Sequence, residues 1–324
     1  MNAVSKPRKS GKPPSKTAAK PASKAVVAKP SKAIKKQPAA RTPGAGFSLE
    51  PVYAAIRKRT PAARQAEAVV FAESFYQRME DDEYPHHTPE GWAALACDML
   101  DFARVRKPGN ANVRVFNATL KSHGWESPHT VLQIVNEDMP FLVDSVSLAL
   151  AEIGVGVHVL GHPLVRFTRD KSGKVSAVGE GKPESLMLLE IDRQPASQMQ
   201  VIETRVRAVL EEVRSIVRDW SAMRETMLTV ADDLSTRRMP VGPEGRREAQ
   251  EFLRWAAADH FTLFGYREYR VEKSTGILAA VEDSGRGLMR EGDTTPPRNM
   301  KSLAAHYLPQ GGSVDALILT KTNR

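Results

Sequence analysis

Thr130-Val-Leu-Gln-Ile-Val-Asn-Glu-Asp-Met-Pro-Phe-Leu-Val-Asp-Ser-Val-Ser-Leu-Ala-Leu-Ala-Glu-Ile153 changes its period part-way along. Val131 to Val135 is β-branched and reads as a strand. Asn136-Glu-Asp-Met-Pro140 reads as a turn. From Phe141 to Ile153 the period becomes helical: Leu142, Val146, Leu150 and Ile153 share one face, with Val143 and Ala149 beside it. Gly154 and Gly156 end that helix. A strand that feeds a helix through a short turn is the unit from which the rest is read.

Downstream, Val155 to Phe167 reads as a strand that Gly161-His162-Pro163 bulges or forces to an edge. Arg169-Asp-Lys-Ser-Gly-Lys174 is a hairpin turn into Val175-Ser-Ala-Val178, and Ser185 to Ile191 is a further strand. Ile202, Val206, Val209, Val213, Ile216, Trp220 and Met223 then form a helical apolar stripe. Burying it is worth on the order of 10 kcal/mol before entropy, at roughly 1.5–3 kcal/mol per large side chain. The order β-α-β-β-α is the front of a ferredoxin-like βαββαβ sandwich, an α+β fold with two helices on one face of an antiparallel sheet. The other face needs a cover, from a second copy or a neighbouring domain.

The flanks extend this. Order is expected to begin near Phe47. Thr60-Pro61 and Thr88-Pro89 read as helix starts, Thr capping and Pro first, which predicts a helical hairpin over about 60–106. An Arg/Pro/Gly linker over 235–243 leads to a helix, a strand over 259–271, a return at 277–281 and a further strand at 317–320. The expected organisation is a disordered tail over 1–46, a helical region over 47–122, the α/β sandwich over 123–235 and the start of a second α/β unit over 236–324, incomplete.

The tail holds 12 of the 47 basic residues and none of the 38 acidic ones, so the remaining 278 residues carry 35 against 38, a net −3. Seven prolines interrupt residues 1–46 and no aromatic residue falls there. Such a segment stays disordered. It could bind nucleic acid through phosphates, but it offers no base stacking. The single cysteine, Cys97, permits no internal disulfide and points to the cytoplasm. The longest apolar run, Ile153 to Val165, is too short and too interrupted to span a membrane.

Few residues suggest chemistry. Cys97 lies in a helical pattern and reads as a small buried hydrophobe. His86-His87 lacks a third ligand, and His158 and His162 lack an acidic one. Gly154-x-Gly156 follows a helix, whereas a dinucleotide fingerprint follows a strand. Asp144 suits a helix first turn better than a carboxylate pair with Asp138. No phosphate-binding lysine loop, nucleophile elbow or zinc-spaced set is present.

Three runs carry a resemblance. They are Met139-Pro-Phe-Leu-Val-Asp-Ser-Val146 continuing to Val157-His-Val-Leu-Gly-His-Pro163; Glu184-Ser-Leu-Met187 with the later Asp219-Trp220; and Phe252-Leu-Arg-Trp255 through Asp259-His-Phe-Thr262 to Phe264-Gly-Tyr-Arg267. Their order and spacing resemble the N-terminal, ACT-like segment of the large bacterial NAD-specific glutamate dehydrogenases, over about 50–324. Leu319-Thr-Lys-Thr-Asn323 also resembles that family. The resemblance implies a regulatory or assembly portion of an enzyme converting L-glutamate, NAD and water to 2-oxoglutarate, ammonium and NADH. It implies that catalytic, cofactor-binding and metal residues are absent from this chain, NAD belonging to the full-length family, and that the chain alone is inactive. ACT domains take small effectors, often amino acids, at the turn that here is Asp138, Met139, Pro140 and Phe141. The usual pattern has glycine where this chain has Phe141. The implied partners are further copies, the remainder of a dehydrogenase polypeptide and an amino-acid effector, with no membrane. Two other readings stand beside it: a nucleic-acid-associated protein using the basic tail, and a stand-alone ACT-type amino-acid sensor.

Overall fold

The computed structural model describes residues 48–77, 88–236, 242–271, 277–292, 294–296 and 313–321. The basic tail, the His86-His87 pair and most of the Arg/Pro/Gly linker lie outside the described residues.

Three helices open the described chain: α1 (Glu50–Arg59), α2 (Ala62–Tyr76) and α3 (Pro89–Ala103). The sequence signals two of them. Thr88 caps α3 as expected, its hydroxyl accepting from the Gly91 amide at 3.2 Å. Thr60 does not cap α2. It closes α1 instead, its backbone amide reaching the Ile56 carbonyl, and its hydroxyl lies 3.6 Å from Cys97 Sγ. The extended Thr60-Pro61 joint is read as a start because proline suits a first turn, but here it separates two helices.

The sheet follows: β1 (Asn112–Phe116), a short α4 (Leu120–His123), β2 (Thr130–Glu137), α5 (Leu142–Glu152), β3 (Val157–Gly161), β4 (Leu164–Arg169), β5 (Val175–Val178) and β6 (Lys182–Ile191). Strand order is β1-β2-β6-β4-β5, with β3 also paired to β6, and all pairings are antiparallel. β2 and β3 flank β6 and are joined through α5, which is the split βαβ arrangement. The single strand expected over 155–167 is two strands, β3 and β4, interrupted at His162-Pro163. Proline supplies no amide for the ladder, so the chain breaks there and resumes along the same neighbour. The outermost position beside β2 is filled from upstream by β1, whose alternation, Val113-Arg-Val115, is too short to announce a strand.

Alternation along the central strands decides both faces. Leu132, Ile134, Met187, Leu189 and Ile191 point into one core with α5 and with α6 (Ala196–Asp233). Val131, Val135, Leu186 and Leu188 point into the other, covered by α1, α2 and α3 through Ile56, Phe71, Phe75 and Leu95. The second cover that the sandwich requires therefore comes from this chain's own helices.

Helix α6 runs 38 residues. Its first half packs on the sheet through Ile202, Val206, Leu210 and Val213. Its second half, through Met223 and Met227, packs on Ala256, Ala257, Leu263 and Tyr266. Those residues belong to a second unit of α7 (Pro243–Trp255), a π-type turn (Ala256–His260), β7 (Phe261–Val271), β8 (Leu278–Ala280), β9 (Arg286–Gly287) and β10 (Ser313–Lys321). Its sheet runs β10-β7-β8, with β9 on β7.

Candidate functional site

The turn between β2 and α5 is built from backbone strain. Phe141 adopts φ 71°, ψ 2°, the left-handed region in which a bulky side chain costs roughly 1–2 kcal/mol. Glycine adopts this conformation without that cost. The Phe141 carbonyl accepts from the Ser145 amide at 3.0 Å and so closes the first turn of α5. Phe141 is 42% exposed.

The four turn residues do not face one place. Pro140 and Phe141 line an apolar cavity of about 330 Å³ with Ile216, Val217 and Trp220 of α6 and Asp259, Phe261 and Thr262 of the second unit. Met139 packs beneath, on the helix-side core. Asp138 faces the other way, into a charged cleft of about 630 Å³. Both volumes fall in the range of small-molecule sites. Sequence reasoning finds the turn but misses the walls: those of the apolar cavity lie on α6 and in the second unit, far downstream, and those of the charged cleft come from both sides of the turn in sequence.

The charged cleft has a buried floor. Glu184 opens the buried part of β6, and its side chain is only 4% exposed. Arg106 donates to both its oxygens, Nε to Oε2 and Nη2 to Oε1, each at 3.0 Å. Arg169 does the same from the opposite side, at 2.6 and 2.9 Å. Burial alone would raise the Glu184 carboxyl, but the two guanidiniums overcome this and hold it below the usual carboxylate range. Arg106 Nη1 donates to the Asn110 carbonyl at 3.0 Å and lies 3.6 Å from Glu137, which is half exposed. The hairpin wall is fixed by Gly173, whose φ is 84° and whose added Cβ would stand 2.0 Å from the Arg106 carbonyl. Asp170 is engaged by its own turn, accepting from the Ser172 and Lys174 amides. Nothing in the sequence ties Arg106, Arg169 and Glu184 together; the one signal is an acid just ahead of the apolar run Leu186 to Leu189.

Other candidates resolve singly. His158 bonds Asp192 at 2.8 Å and stacks on His129, while His162 meets Ser185 at 2.5 Å, so the two histidines do not converge. Cys97 is partly buried, and burial pushes its thiol pKa up, the opposite of an activated nucleophile. Among the described residues no group of three His, Cys, Asp or Glu could hold a metal ion, and no helix is long and apolar enough to cross a membrane. Gly154 ends α5 at φ 72° and leads into β3, so its amides do not open a helix and offer no dinucleotide cradle.

Residues 71–206 match the family profile described as glutamate dehydrogenase, ACT1 domain. The chain is 32% identical over 246 residues to the NAD-specific glutamate dehydrogenase of Halomonas elongata, covering 72% of this chain. It is 29% identical over 255 residues to the enzyme of the same name from Pseudomonas aeruginosa, covering 75% of this chain. The Mycobacterium tuberculosis protein of that name is 26% identical over 176 residues, 52% of this chain and 11% of its own length. The chain belongs to this family as its ACT1-bearing segment. The segment spans only 15% of the Halomonas protein and 16% of the Pseudomonas protein. The ACT1 match begins within α2, takes in the whole first sheet and ends within α6, so the helical cover is partly inside it.

Proposed function

We propose that this ACT1 segment is a regulatory and assembly portion of an NAD-specific glutamate dehydrogenase. The full enzyme would convert L-glutamate, NAD and water to 2-oxoglutarate, ammonium and NADH, using catalytic and NAD-binding residues outside this chain, in the cytoplasm. The observation that carries the reading is α6. One continuous helix buries its first half in the ACT1 sheet and its second half in the following unit, so a displacement at one is delivered to the other. The partners are further copies or the remainder of the dehydrogenase polypeptide. Purified chain, given L-glutamate and NAD, should produce no NADH at 340 nm; robust turnover would overturn the assignment.

A second reading, effector binding at the turn, is favoured by the apolar cavity. It joins the turn, α6 and the second unit, and among the described residues no lysine or arginine lines it. Its ligand would have an apolar body and would not be a dicarboxylate. Titration with phenylalanine should give a saturable tryptophan fluorescence change that Trp220→Phe removes, and L-glutamate should give none. A flat phenylalanine titration would end this reading.

A further inference from the structure

The outer strands of the first sheet present backbone groups that another chain could pair with, and such edges are managed in folded proteins by bulges, short strands or a covering segment. β3 pairs only with β6, is bulged between Val157 and Val159 and stops before Pro163. β5 is met by the segment after α3: the Val175 amide donates to the Arg104 carbonyl at 2.9 Å, and the Arg106 amide to the Gly173 carbonyl at 3.0 Å. β1 has neither protection. It stands at the end of the sheet, pairs with β2 in unbroken register over five residues and contains no proline. Its one charged side chain, Arg114, is engaged by Asp98 at 2.6 Å and Gln133 at 2.8 Å. In an antiparallel ladder a residue turns its amide and carbonyl to the same side, and the side alternates along the strand. Asn112, Arg114 and Phe116 turn theirs to β2, so Ala111, Val113 and Val115 turn theirs outward.

Arg207 of α6 takes the place of a neighbouring strand at this edge. Its Nη1 donates to the Ala111 carbonyl at 3.1 Å and its Nη2 to the Val113 carbonyl at 2.5 Å. Glu203, one turn earlier on α6, accepts from Nε at 3.1 Å and from Nη2 at 2.8 Å and holds the guanidinium there. We infer that Arg207 is an edge guard: it occupies the outward carbonyls of β1 and bars the first sheet from pairing edge to edge with a second copy of this chain. The sequence of β1 says why a second copy is the partner to be barred. An antiparallel β1–β1 pair about Val113 is self-complementary. Val113 would meet Val113, Ala111 would meet Val115, and Arg114 would meet Asn112 rather than another arginine. Any contact between copies of the guarded chain then lies on other surfaces. No residue of the turn or of either pocket takes part, so the inference needs neither effector binding nor the regulatory reading.

The test is analytical ultracentrifugation of the full chain, wild type against Arg207→Met, over one concentration series. Methionine keeps the aliphatic stem and the helix propensity of arginine and removes the donors. Arg207 is 45% exposed, so the change leaves both cores intact. The variant should reach about twice the mass of the wild type, with self-association at least about tenfold tighter. Adding Val115→Pro removes an outward amide, a change that an edge strand tolerates, and should restore the wild-type mass. Circular dichroism melts check that each variant is folded, and Arg207→Ala answers the same question should the methionine variant not fold. A folded variant that sediments like the wild type sinks the proposal. So does association that survives Val115→Pro, which would place the new contact away from β1.

Discussion

Asp219, in the middle of α6, accepts a 2.8 Å hydrogen bond from the backbone amide of Gly287 in the second unit's sheet. Arg290 Nε adds another at 2.8 Å, and Ser215, one turn earlier, donates to the Gly287 carbonyl at 3.0 Å. The carboxylate is buried, and it holds the β9 segment against α6 at the point where the helix leaves the ACT1 sheet. Asp219→Asn keeps the shape but removes the charge that strengthens these bonds. Hydrogen bonds to charged groups contribute roughly 1.5–3 kcal/mol. We expect a loss of about 2 kcal/mol in urea unfolding of the second unit; a loss below about 0.5 kcal/mol, the scatter of surface substitutions, would show that the tie is incidental.

Glu184→Gln tests the buried triad. Removing the carboxylate charge leaves Arg106 and Arg169 buried and facing one another, and breaking a buried pair in this way costs about 3–5 kcal/mol. The pH dependence follows from the depressed carboxyl. A group whose folded pKa lies below its unfolded value stabilises the protein above the unfolded pKa, about 4.3 for glutamate. That contribution is lost as pH falls through the folded value. Thermal unfolding should show a wide gap between wild type and variant at pH 7 that narrows only below about pH 4. A gap that is constant from pH 7 to pH 3 would mean that the charge is not what matters.

How legible each part was follows from how local its cause is. The turn at Asp138–Phe141, helix α5 and the stripe on α6 are set by neighbours within a few residues, and the sequence shows them. Helix α1 is mostly charged on its exposed side and opens without a capping side chain, so Glu50 and Pro51 in its first turn are the weak signals of its start. The break at His162-Pro163 follows from a missing amide, but whether such a site bulges or interrupts depends on β6, which pairs with both halves. The pairing of Arg106 with Glu184 spans 78 positions and is enforced only by the sheet. Asp219 stands between Ile216, Trp220 and Met223 as a lone acid beside an apolar stripe; the sequence shows the anomaly but not its partner 68 positions on.

Phe141 gives a prediction with an unusual sign. At ordinary positions alanine is favoured over glycine by roughly 0.5–1 kcal/mol, because glycine loses more backbone entropy on folding. At φ 71° the Cβ penalty reverses the order. Phe141→Gly should therefore be more stable than Phe141→Ala by about 1 kcal/mol, measured by paired denaturant melts. Both variants lose the same ring contacts with the cavity, so the comparison isolates the backbone. Equal stabilities would mean that the turn relaxes and that Phe141 stores no strain.

Helix α6 decides whether the two units act together. Ala222 is exposed, and its carbonyl accepts the Thr226 hydroxyl at 2.9 Å. Its side chain contributes nothing to either core. Proline there removes one backbone hydrogen bond and places its ring against the preceding turn, at a cost of about 3 kcal/mol or more and with a kink. The kink falls between the residues that pack on the ACT1 sheet's core, up to Val217, and Met223 and Met227, which pack on the second unit. In Ala222→Pro, hydrogen exchange of the β2 and β6 amides should keep its protection while that of β7 falls, and melting should split into two transitions. If instead the variant melts once, with protection lowered evenly on both sheets, α6 is not the coupling element and the units are joined through other contacts.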